Sequence, residues 1–141
     1  MAMSFEYKVK GGDFTHAGYA SSQVKKMLKQ LGVDNTVIKR VVVCLYEAEV
    51  NIVAHAWDGI ISIVLDTDTV FMKLTDNGPG IANIEQAMQK GFSTASPEVR
   101  EMGFGAGMGL PNISANADRF IITSEPGRGT TFIITLIEPE D

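Results

Sequence analysis

The spacing of apolar residues changes period several times along the chain, and each change marks an element. Ser4–Val9 alternates weakly and predicts a first strand that ends at Gly11-Gly12, where the chain turns freely. Ala17, Ala20, Val24, Met27, Leu28 and Leu31 then recur at three- and four-residue intervals, an apolar stripe closed by Gly32 that predicts a core-facing helix. Asp34 suits the N-cap of a second, longer helix running to about His55, with Val37, Val41, Leu45, Ala48 and Ile52 on its buried side.

Ile60–Leu65 and Val70–Leu74 are rich in β-forming residues and are separated by Asp66-Thr67-Asp68, which predicts a hairpin of adjacent antiparallel strands. From Asp76 to Gly109 the chain is punctuated by glycine, with a short helix expected at Ile84–Gln89 and a turn at Pro97–Arg100. Ordered loops of this length usually serve a function. A helix from Gly109 to Ala117 and two strands, Arg119–Ser124 and Thr130–Ile137, close the chain, with Pro126-Gly127-Arg128-Gly129 as a strong hairpin turn. These elements assemble most simply as an α+β two-layer sandwich, with helices on one face of a mixed, mostly antiparallel sheet.

Composition narrows the classes. A length of 141 residues suits one domain with one core, expected to span residues 1–141 without linker or repeat. No apolar run approaches the roughly 18 residues that cross a bilayer, and Met1-Ala2-Met3-Ser4-Phe5-Glu6 lacks a secretory pattern, so a cytoplasmic protein without membrane contact is expected. Cys44, the single cysteine, lies in an apolar run and reads as a buried structural thiol; with two histidines it leaves no structural zinc site.

The net charge of −5 is unevenly spread. Residues 1–40 carry seven Lys/Arg against three Asp/Glu, and the remainder carries five against fourteen. The basic cluster of Lys25, Lys26, Lys29, Lys39 and Arg40 is either a solvated helix face or a dock for an acidic protein partner. Direct nucleic-acid binding is disfavoured, because the sequence pI is about 5.0 and no aromatic residues interleave the cluster.

Four segments carry candidate chemistry. Glu47, Asn51 and His55 fall at i, i+4 and i+8 and line one side of the long helix. An Asn carboxamide oxygen suits Mg²⁺, and a carboxylate one turn earlier suits a general base; an ordinary exposed face has the same pattern. Asp76-Asn77-Gly78-Pro79-Gly80-Ile81 follows a strand and is either a plain turn or a place where a fixed carboxylate meets an exocyclic amine while glycines admit the base. Gly103-Phe104-Gly105-Ala106-Gly107-Met108-Gly109-Leu110 sets four glycines on alternate residues ahead of a helix, an anion cradle of backbone N–H groups that needs no lysine. It fits neither the P-loop nor the Gly-x-Gly-x-x-Gly pattern. Gly127-Arg128-Gly129-Thr130-Thr131-Phe132 reads as a hairpin turn or as the edge of the same site.

In this order the segments resemble the nucleotide-binding boxes of the GHKL superfamily, named for gyrase, the heat-shock chaperone, histidine kinases and MutL. The likeness spans nearly the whole chain. It implies the histidine-kinase-like ATP-binding fold and a mobile ATP lid at about 91–108. It also implies Mg²⁺ on Asn51, the adenine amine on Asp76, phosphates on Gly105, Gly107 and Gly109, Thr130 beside the base, and Glu47 as general base. His55, Gly78, Gly80, Ile81, Ser93, Thr94, Gly103, Ala106, Met108 and Leu110 complete the implied ATP-binding set.

The chain's small size, with Gly78-Pro79-Gly80-Ile81, Gly91-Phe92-Ser93-Thr94 and Gly105–Pro111, is most similar to the anti-sigma-factor serine/threonine kinases, particularly RsbT-type switch kinases, with RsbW and SpoIIAB-type relatives. That likeness implies phosphorylation of a STAS-domain antagonist protein, a sigma factor as a further partner, and compatibility with a homodimer. A nucleotide-switched binding module with little transfer, or a histidine-kinase-type catalytic domain working with a separate partner, are the alternatives. Ala95–Met102 makes the lid longer than in the kinases it most resembles.

Overall fold

The computed structural model describes residues 3–81, 83–89 and 109–137. Strand β1 (Met3–Lys10) and a 3-10 turn (Phe14–His16) lead into helices α1 (Tyr19–Gln30) and α2 (Asn35–His55). Strands β2 (Asp58–Leu65) and β3 (Thr69–Asp76), the one-turn helix α3 (Ile84–Ala87), helix α4 (Gly109–Asn116), and strands β4 (Arg119–Glu125) and β5 (Gly129–Ile137) follow. The predicted turn at Pro97–Arg100 and the lid at 91–108 lie outside the described residues.

The five strands form one sheet in the order β1-β2-β3-β5-β4, and every pairing among them is antiparallel. The sequence left room for a parallel pair, and the topology shows why none forms. The chain leaves β3, passes α3 and α4, and re-enters the sheet as β4 in the direction of β3. The tight hairpin then folds β5 back between them, so the two like-directed strands never touch.

Strand period 2 decides which side is core. Ile61, Ile63, Met72, Leu74, Phe132, Ile134 and Leu136 project from the covered face and are buried, while Ile60, Phe71 and Ile121 project from the other face and stay exposed. Against the covered face lie Ala20, Val24 and Leu28 of α1 and Val37, Val41, Leu45, Ala48 and Ile52 of α2, as the helical spacing predicts. Each fully buried aliphatic side chain here contributes about 1.5–3 kcal/mol over its exposed state.

Leu31, expected on the α1 stripe, is instead 47% exposed. It lies past the last helical turn, where Gly32 N–H donates to the Lys29 carbonyl and Val33 N–H to the Leu28 carbonyl. This Schellman arrangement satisfies the helix's free carbonyls and swings Val33 into the place against the core that Leu31 would have taken.

Two long-range contacts lock the helical layer. Asp34 caps α2 through Thr36 N–H, but Gly18 at the start of α1 offers no capping side chain. The buried Glu49 carboxylate from α2 replaces it, accepting from the N–H groups of Gly18, Ala20 and Ser21 and from the Ser21 hydroxyl, at 2.7–3.1 Å. A negative charge at a helix N-terminus, met by four donors, is favourable even when buried.

At the other end, Arg40 Nε donates to the Asn116 carbonyl at the end of α4, and its guanidinium lies 3.0 Å from Asp118. Arg40 is therefore an internal tie rather than part of a free basic cluster, while Lys25, Lys26, Lys29 and Lys39 remain exposed. Cys44 is fully buried and hydrogen-bonds the Ile113 carbonyl, and burial pushes its thiol up to about 12. None of the described helices is long and apolar enough to cross a membrane.

Candidate functional site

Glu47, Asn51 and His55 stand in a row on the part-exposed side of α2, as their spacing requires. The row faces two different structures. At its upper end Glu47 meets the beginning of α4, where its Oε2 lies 3.1 Å from the position that a Cβ on Gly109 would occupy. Burial raises the Glu47 pKa above the usual carboxylate value, and a hydrogen bond from the Asn112 side chain works in the opposite direction. A half-buried carboxylate with a raised pKa is well suited to receiving a proton.

At the lower end His55 neighbours Asp76. Burial lowers the pKa of His55, and the Asp76 charge partly restores it. Asp76 ends β3 in phase with the covered-face residues Met72 and Leu74, one residue past the last β3–β5 pair, Thr75 with Thr131. Its Oδ1 accepts from Gly78 N–H at 2.9 Å and Thr130 N–H at 3.2 Å, so the carboxylate is held from both the following loop and the neighbouring strand. Both bonds fall on one oxygen.

The loop after Asp76 is seated by close approach. A Cβ on Gly78 would stand 2.7 Å from the Ala56 Cα, so only glycine lets the loop lie on the end of α2. Gly80 has φ +79°, and a Cβ there would fall 2.5 Å from the Glu125 carbonyl oxygen. Asn77 exchanges bonds with Asp58, its N–H going to the Asp58 carbonyl and its Oδ1 accepting the Asp58 N–H. Gly127 N–H donates to the Pro79 carbonyl at 2.7 Å, clamping the β4–β5 turn over the loop.

Three polar groups near these boxes escaped the sequence argument. Ser124 Oγ accepts from Ile81 N–H at 2.7 Å and lies 3.0 Å from Thr130 Oγ1 and 3.2 Å from the Gly129 carbonyl. Its register after Phe120 and Ile122 on the inward side of β4 was a usable signal, since a hydroxyl at the end of an apolar alternation needs a polar partner. Asn112 and Glu49 gave no such signal, because their partners lie 65 and about 30 residues away along the chain.

The structure thus brings Glu47 to Gly109, and Asp76 to His55, Gly78 and Thr130, with Ile81 joined through Ser124. Leu110, the second residue of α4, is buried against the core. Ser93, Thr94, Gly103, Gly105, Ala106, Gly107 and Met108 lie outside the described residues. Among the described residues no three His, Cys, Asp or Glu side chains converge on one point. Asn51, one turn from Glu47 on the part-exposed side of α2, has a carboxamide oxygen of the hard kind that Mg²⁺ takes.

Comparison with known proteins agrees with this architecture. Residues 36–140 match the family model of histidine kinase-, DNA gyrase B- and HSP90-like ATPases. The chain is 33% identical over 110 residues to serine/threonine-protein kinase RsbT of Bacillus subtilis (strain 168), covering 75% of this chain and 77% of that one. It is 36% identical over 91 residues to an anti-sigma F factor of Geobacillus sp. (strain WCH70), covering 60% and 59%. A further anti-sigma F factor, from Clostridium beijerinckii, is 30% identical over 138 residues, covering 94% and 91%. Among solved structures the mycobacterial sensor histidine kinase MprB superposes with a TM-score of 0.55 at 14% identity over 98% of this chain and 100% of that one, a likeness of fold.

Proposed function

The chain belongs to the histidine kinase-, DNA gyrase B- and HSP90-like ATPase family, and on that footing we propose that it is an ATP-dependent regulatory serine/threonine kinase of the anti-sigma switch type. Its substrate is a small STAS-domain antagonist protein, and residues 1–141 act as one ATP-binding unit in the cytoplasm. The observation that carries the proposal is the placement of two carboxylates at the two ends of the Glu47–Asn51–His55 row of α2. Asp76 is held by two backbone N–H groups at the sheet end, and Glu47 is half-buried with a raised pKa at the start of α4.

Asp76 accepts the adenine amine, with Thr130 and the Gly78–Ile81 loop shaping the base pocket and His55 filling its wall. The phosphates extend along α2 toward Gly109 and the glycine-rich segment before it. Asn51 holds Mg²⁺, which neutralises phosphate charge when bound. Glu47 takes the proton from the partner's Ser or Thr hydroxyl as its oxygen bonds to the γ-phosphorus and the bond to the β-phosphate oxygen breaks, releasing ADP. Asn112 orients the Glu47 carboxylate for that step.

Incubation with labelled ATP, Mg²⁺ and the STAS protein encoded nearest to this chain tests the proposal. Label is expected on the STAS protein, and none with Glu47→Ala. Absence of label from the wild-type reaction, with ATP bound normally, excludes the kinase reading. The relatives named anti-sigma F factor support a second reading, a nucleotide-switched module that sequesters a sigma factor. Stable co-purification of a sigma factor without transfer favours that alternative.

A further inference from the structure

The sheet ends on two edge strands, β1 and β4, and their sequences guard them differently. An edge strand leaves a row of backbone N–H and C=O groups outside the sheet's own ladder, and charge along its length is a common means of keeping a further strand away. β1 carries that charge, with Glu6, Lys8 and Lys10 at successive positions on its exposed side. β4 does not. Phe120-Ile121-Ile122-Thr123-Ser124 holds no charge, proline or glycine and consists largely of β-branched and aromatic residues. β5 pairs with one side of β4, and among the described residues no strand lies on the other.

The inner flank of this edge is open as well. A cleft of about 330 Å³ runs beside it, lined chiefly by Ile84 and Met88 of α3, by Ala117, and by Phe120 and Ile122 of β4 itself. Those two inward side chains are consequently half-buried, and Ile121 on the opposite face is 44% exposed. An added strand would remove apolar surface from water on both faces.

The charges at the ends of β4 say which strand fits. Arg119 and Glu125 bound it, and both project from the uncovered face. A two-fold axis through Ile122 and perpendicular to the sheet sets β4 antiparallel to β4 of a second copy. Across that junction Arg119 faces Glu125, Phe120 faces Ser124, Ile121 faces Thr123, and Ile122 faces its own counterpart. Each end then carries a pair of opposite charge, and directly opposed residues on neighbouring strands interact. Neither charge is strongly held within the chain: among the described residues Arg119 forms no ion pair, and Glu125 meets Arg128 at 3.4 Å with both side chains well exposed. The same axis keeps both helical layers on one side of the joined sheet and brings the two clefts side by side.

We propose that β4 is a self-recognition edge, through which two copies of this chain join their sheets into one. The contact is isologous and short, so the dimer is a reversible one rather than an obligate one. It does not depend on the nucleotide or kinase assignments.

Sedimentation velocity of the full chain in about 0.15 M salt, from about 1 to 200 μM, tests the proposal. The wild type should pass from monomer to dimer over that range. Thr123→Lys, which sets a charge in the middle of the edge on its solvent side, should remain monomeric with the melting temperature of the wild type. Arg119→Glu leaves acid at both ends of the strand and Glu125→Arg leaves base at both, so each variant alone should dimerise at least about tenfold more weakly. An equimolar mixture of the two should recover wild-type association, because every end pair across the junction is then of opposite sign.

A wild type that stays monomeric throughout overturns the proposal. A dimer that Thr123→Lys leaves intact also overturns it, by placing the contact on another surface. A mixture that associates no more tightly than its components is equally fatal, since the two ends then do not face each other. Where a variant melts below the wild type the mixture still decides, because mixing does not repair a damaged fold.

Discussion

The Asp76 carboxylate accepts the backbone N–H of Thr130 at 3.2 Å across 54 residues of chain, while the same oxygen takes Gly78 N–H at 2.9 Å. One side chain thus joins β3, the loop after it and β5. Asp76→Asn keeps an oxygen that can accept both N–H groups, so the fold should survive with a melting temperature close to that of the wild type. The charge on the second oxygen is lost, and with it about 1.5–3 kcal/mol of a charged hydrogen bond to the adenine amine. ATP affinity by calorimetry should fall at least tenfold, and an unchanged affinity rules out the adenine role.

Glu47 makes the rate depend on pH in a predictable direction. Its pKa is raised by burial, so the deprotonated form needed to accept a proton disappears on the acid side at a higher pH than an ordinary glutamate would give. Asn112 opposes that rise. In Asn112→Leu the acid limb of the phosphotransfer profile should therefore move to higher pH, with little change in ATP affinity. Glu47→Gln should remove transfer altogether while nucleotide binding persists; a rate within tenfold of wild type in that variant would be incompatible with a general base at this position.

Glu49 differs from Glu47 by two residues and by its whole environment. It is 2% exposed and supplies the cap that Gly18 cannot. Glu49→Ala strands three N–H groups at the buried start of α1 and should cost about 3 kcal/mol or more in chemical denaturation. Glu49→Gln, which retains one acceptor oxygen, should cost less. Equal stability of the alanine variant and the wild type would mean that α1 finds another cap.

His55 contributes on the acid side of stability. Burial lowers its folded pKa below the ordinary value of 6.5, so the unfolded chain binds a proton more readily than the folded one. Its contribution is complete above about pH 6.5 and is lost as pH falls from there through the lower folded pKa. His55→Gln should flatten this part of the profile: the difference in melting temperature between wild type and variant should shift against the wild type between pH 7 and pH 5. A difference that stays constant over that range shows that His55 does not titrate differently on unfolding.

The elements themselves were legible in the chain. Helical spacing places α2 between Asp34 and His55 and puts Glu47, Asn51 and His55 on one side; alternation places β2, β3 and β5, and turn residues place both hairpins, within one or two residues at most ends. These features are local, set by the backbone periods of 3.6 and 2 and by capping and turn chemistry, so each is decided within a dozen residues. The order of Glu47, Asp76, Gly109 and Thr130 along the chain carried the family resemblance for the same reason.

What a single chain cannot express locally is which distant groups come to share a proton or a charge. Whether β4 lies beside β3 or beyond β5 depends on the hairpin inserting between two like-directed strands. That Arg40 is spent on Asp118 and Asn116, that Val33 displaces Leu31 from the core, and that Glu49 caps a helix some 30 residues upstream are decided by packing, where burial makes an unpaired polar group too costly to leave. The meeting of Asp76, Thr130 and Ser124 is of the same kind. The sequence by itself determined that a carboxylate, a threonine and the glycines between them were present in a recognisable order; only the tertiary structure set one hydroxyl of β4 against Thr130, because its oxygen accepts the Ile81 N–H of one loop while it faces the Gly129 carbonyl and the Thr130 hydroxyl of β5, groups that folding alone brings together.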